Sequence, residues 1–61
     1  MTNLTTKELS ALEDQLGYEQ TLIAKYKNFA NQCSDVQLKA KCTQIADKHQ
    51  QHYNTLLTYL Q

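Results

Sequence analysis

From Leu9 onward the apolar residues in the first half of the chain recur at alternating intervals of three and four: Leu9, Leu12, Leu16, then Ile23, Tyr26 and Ala30. That period lines one side of an α-helix. The slot left open between Leu16 and Ile23 is filled by an acid, Glu19. A second run keeps the same alternation through Leu38, Cys42, Ile45, His49, His52, Leu56 and Tyr59, so two consecutive slots hold histidine. Leu22 and Phe29 widen the first stripe, and Ala46, Tyr53 and Leu60 widen the second. Stripes of that width suit a four-helix bundle better than a two-stranded coil.

Local signals set the ends of the two helices. Thr5-Thr6-Lys7-Glu8 reads as a capping box, in which the Thr5 hydroxyl accepts an amide of the first turn and Glu8 reaches back to the Thr5 amide. Helix one is predicted over about 6–32, with Asn31 as a left-handed C-cap. The turn falls at about 31–35. There Ser34-Asp35-Val36-Gln37 forms a second capping box, with Cys33 and Leu38 as its hydrophobic staple, and helix two follows over about 35–60. Gly17 lies off the stripe, where its missing side chain would admit a close neighbour.

Two helices joined by so short a turn must run antiparallel, giving one αα-hairpin over 1–61. Folding about the turn places residues level when their numbers sum to about 69. Leu9 then meets Leu60, Leu12 meets Leu56, Ile23 meets Ile45, and Glu19 falls beside His49 and His52. All three polar residues of the stripes converge on one layer.

Composition confirms the class and adds a constraint. With no Pro, one Gly, one Val and two Ile, the chain favours helix over strand. Sixty-one residues bury only about 60% of their unfolded surface, and a core that small supplies about 3–5 kcal/mol. Such a chain needs a metal, a disulfide or a partner. Two cysteines without a signal-like apolar start do not read as a secreted disulfide framework, so synthesis in the cytoplasm is expected. Six lysines against six acids, and no arginine, give a net charge of +0 and leave no basic excess for nucleic acid. No apolar run is long enough to cross a membrane.

Two imidazoles three residues apart on a helix share one side, and a carboxylate from the facing helix supplies a third ligand. Glu19, His49 and His52 are therefore candidate ligands for a divalent metal such as zinc, which imidazole-rich sites suit. The leading reading is structural, a layer in which the three side chains hydrogen-bond one another and fix helix register and oligomeric state, with metal ligation as the alternative. Tyr53 adjoins the layer and is placed to close that network with its hydroxyl. The other tyrosines read as packing. Cys33 and Cys42 are offset along the axis by roughly 9 Å, which argues against an internal disulfide and leaves Cys33 available for a crosslink between chains. Lys25, Lys27, Lys39 and Lys41, gathered towards the turn, read as solvated surface. With no phosphate loop, no Ser/His/Asp set and no Cys-x-x-Cys, the chain gives no sign of an enzyme.

The segments from Glu8 to Ile23 and from Gln37 to Leu57 resemble the small clostridial relatives of spore coat protein F, over nearly the whole chain. The resemblance implies a ferritin-like helical bundle, an association with the spore coat and other coat proteins, and no assigned enzyme activity. Larger members hold four helices in one chain, so this hairpin is expected to form the bundle as a homodimer. Glu19 and His52 match the acid and histidine of a degenerate ferritin-like centre. His49 stands where the Glu-x-x-His pattern of dimetal bundles has Glu, which argues against iron oxidation.

Overall fold

A computed structural model describes residues 3–61 and is all-helical. Helix α1 runs over Thr6–Gln32 and helix α2 over Val36–Leu57, followed by a single 3-10 turn at Thr58–Leu60. The two helices pack against each other as a hairpin.

The start of α1 follows from its capping box. Glu8 N donates to Thr5 Oγ1 at 3.1 Å, and Thr5 N donates to Glu8 Oε1 at 2.9 Å. The bond from the Thr5 amide, followed by the Thr5 hydroxyl, holds the Glu8 carboxyl below its usual value, because each favours the ionised form. At the other end of α1, Asn31 stays helical and no described residue other than glycine has a positive φ. The helix closes instead on an extended Cys33, whose amide donates to Phe29 O at 3.0 Å. Its last turn has no cation of its own. Lys39 supplies one from α2, with Nζ donating to Ala30 O at 2.8 Å. A cation there satisfies an orphan carbonyl and opposes the negative end of the helix dipole.

The second capping box does not form as the sequence predicts. The N-cap of α2 is Asp35, one residue later than Ser34, and its Oδ1 accepts from Leu38 N at 2.9 Å. A carboxylate is a stronger acceptor than a hydroxyl at a helix start, where the dipole also favours negative charge. The shift moves Cys33 and Leu38 out of the staple register, and Leu38 stays exposed. Helix α2 also ends earlier than the pattern predicts. Thr58 Oγ1 donates back to Thr55 O at 2.6 Å, and the last turn tightens into 3-10 geometry from Thr58.

The core is thin. Leu12, Leu16 and Ala30 of α1 and Cys42 and Ala46 of α2 are buried, and among the described residues no large side chain is fully buried. The outer ends of the stripes stay open: Leu9, Leu38, Tyr59 and Leu60 are exposed, as is Phe29 on the flank. Gly17 opens on empty space, and a Cβ there would meet nothing within 4 Å, so it admits no close neighbour. The hairpin measures 46 × 15 × 10 Å with a radius of gyration of 14.3 Å. A compact domain of this length has a radius near about 10.5 Å.

Cys33 and Cys42 are both free. Burial pushes the Cys42 thiol up, and the neighbouring Cys33 thiol adds to the rise.

Candidate metal centre

Glu19, His49 and His52 come together as the level-matching predicts. Glu19 is the middle residue of α1, with equal lengths of helix on either side. Its neighbours along the stripe, Leu16 and Ile23, are apolar, so hairpin packing carries the carboxylate inward with them. On α2 the two histidines lie one turn apart and face it.

His49 Nδ1 lies 2.6 Å from Glu19 Oε1. His52 Nδ1 lies 3.6 Å from Glu19 Oε2. The Glu19 side chain is 7% exposed, His49 21% and His52 58%, so the layer opens to one side through His52. The histidine rings meet edge-on with centroids 5.5 Å apart.

Two residues join the layer that the sequence reading left out. Gln15 Nε2 donates to Glu19 Oε2 at 3.1 Å. Tyr26 stacks on His49 with centroids 6.2 Å apart and planes 16° from parallel. The signal for Gln15 was its i,i+4 spacing from Glu19, the pairing that places side chains on one helix face. Tyr53 does not close the network: its hydroxyl accepts from Gln20 Nε2 at 3.1 Å, away from the histidines.

Burial raises the Glu19 carboxyl, but hydrogen bonds from His49 and Gln15 and the charge interactions with His49 and His52 outweigh it, so the net shift is downward. The group is thus an ionised acceptor. An ionised carboxylate has no proton to give, so the proton in the 2.6 Å contact belongs to His49 Nδ1.

One carboxylate oxygen and two imidazole nitrogens, all within 4.8 Å of one another, form a three-ligand set. Three protein ligands with a fourth position open to solvent are the arrangement of an accessible zinc site. Zinc bonded to the Glu19 and His49 atoms would hold them about 3.3 Å apart. Binding there would need the Glu19–His49 hydrogen bond to open and the His49 Nδ1 proton to leave. Gln15 and Tyr26 would hold the carboxylate and the His49 ring in place. No family model matches this chain, and no curated protein or solved structure is detectably similar to it.

Proposed function

We propose that this hairpin binds a divalent metal, zinc by preference, through Glu19, His49 and His52, and that it works as a non-enzymatic module assembling as a homodimeric, ferritin-like four-helix bundle. The observation that carries the metal reading is the convergence of three ligand side chains from two helices on one level, with an ionised carboxylate among them. Nitrogen-rich ligation favours zinc over magnesium or calcium, which take oxygen. Nothing in the layer supplies a nucleophile. Isothermal titration of metal-free, untagged protein with zinc tests the reading. One ion per hairpin is expected, and His49→Leu or His52→Leu should abolish the heat. A wild-type chain that takes up no zinc overturns it.

A second reading has its own support. Glu19 and His49 already satisfy each other, and among the described residues no buried side-chain polar atom lacks a partner. The layer then serves as a register key in an assembly protein of the spore-coat type, deposited in the coat with other coat proteins. In that case replacing both histidines by Leu leaves stability nearly unchanged or raises it. Immunolocalisation in sporulating cells tests the coat assignment.

A further inference from the structure

The two sides of the hairpin are built differently. At 100° per residue, α1 turns Tyr18, Leu22 and Phe29 to the side on which α2 presents Leu38, Ile45 and His52. Ring contacts tie that side to the layer: Phe29 lies 6.3 Å from Tyr26, Tyr26 stacks on His49, and His49 meets His52. Tyr18 is 60% exposed, Leu38 53% and Phe29 50%, and three exposed lysines, Lys25, Lys41 and Lys48, flank the six on the same side. The opposite side carries Gln20, Lys27 and Gln50 around a shallow depression, where the Gln20–Tyr53 bond is already made.

The area left open is the right size for a partner. The hairpin exposes 4759 Å². A compact monomer of this mass exposes about 4,100 Å². The excess of about 700 Å² per chain, spread over the whole hairpin, is close to what each copy contributes to an interface of standard size. The stems of Lys25, Lys41 and Lys48 carry their ammonium groups out to water past the patch, and a second copy presents the same aromatic and aliphatic positions in return. The layer's position adds a geometric match. Because Glu19 is at the midpoint of α1, a two-fold axis at mid-length gives the longest overlap and brings the layers of both copies to one level.

We propose that a second copy of this chain docks on the His52 side, about a two-fold axis at mid-length, and brings both Glu19–His49–His52 layers to one level beside the interface. The proposal rests on the self-associating, cation-binding reading above and names the surface and partner it requires. His52, the exposed member of the layer, lies on the docked side.

Sedimentation equilibrium of the full chain, with chelator and with zinc, tests it together with three variants. Wild type should run at twice the 7.1 kDa chain mass. Tyr18→Glu and Phe29→Glu should run as helical monomers, while Ala24→Glu, on the opposite side, should remain a dimer. A wild-type monomer at high micromolar concentration overturns the proposal, as does dissociation by Ala24→Glu alone. Should the face variants lose helix by circular dichroism, isotope-filtered NOEs on mixed-label wild type decide the matter. Intermolecular signals at Tyr18 and Phe29 support the proposal, and signals at Gln20 and Lys27 overturn it. A dimer on this face that takes no zinc keeps the surface and removes the cation reading; a monomer that takes zinc does the reverse.

Discussion

Nδ1 of His49 and Oε1 of Glu19 stand 2.6 Å apart, although thirty residues separate them in sequence, and the carboxylate of the pair is almost wholly buried. A ligand that binds the folded chain stabilises it by mass action, so zinc held there should raise stability by about 2.7 kcal/mol when free zinc is a hundredfold above Kd. Chemical denaturation with and without zinc measures this. His49→Leu should show no zinc-dependent gain.

The same carboxylate makes stability depend on acid. Glu19 is held below its ordinary value of 4.5 in the folded chain, so its contribution is fully present above that value. It is lost as pH falls from about 4.5 through the lower folded value. Denaturation midpoints taken from about pH 6 down to about pH 3 should fall for wild type. They should fall less steeply for Glu19→Gln. Glu8 is also lowered, but it is present in both proteins, so their difference belongs to Glu19.

The register of the second cap is open to a pair of substitutions. Asp35→Ala removes the acceptor of the Leu38 amide and should cost about 1 kcal/mol. Ser34→Ala removes no cap and should stay within about 0.5 kcal/mol of wild type. A loss from Ser34→Ala with Asp35→Ala neutral would place the cap at Ser34 instead.

Gly17 offers a gain. It lies inside α1 without a positive φ, and a Cβ there meets nothing within 4 Å. Gly17→Ala should therefore stabilise the hairpin by about 0.5–1 kcal/mol through helix propensity and reduced freedom of the unfolded chain. The thermal midpoint should rise with no change in zinc stoichiometry.

The hairpin and its polar layer were legible because periodicity is a long-range signal. A stripe of seven positions fixes which side of α2 faces inward even though single positions do not, and level-matching across a short turn then places Glu19 beside the histidines. Single contacts carry no such redundancy. Asp35 displaced Ser34 as N-cap through a difference in acceptor strength that both residues leave open in the sequence pattern. Thr58 bonded back to Thr55 and cut α2 short, where the apolar spacing runs on to Tyr59 and Leu60. Gln20 took the Tyr53 hydroxyl that the layer was expected to use. Lys39 read as one of four surface lysines, yet its reach to Ala30 depends on how closely the helices approach at the turn, which one-dimensional spacing does not encode.

That lysine also sets the direction in which the hairpin comes apart. With the 33–35 link only three residues long, closing it costs little entropy, and the Asp35 cap and the Lys39 strap lock both of its sides. Hydrogen exchange should begin at the distant chain ends and advance towards the turn. Glu19 and His49, halfway along, are then the clasp at which a zipper opening from its free end must pause.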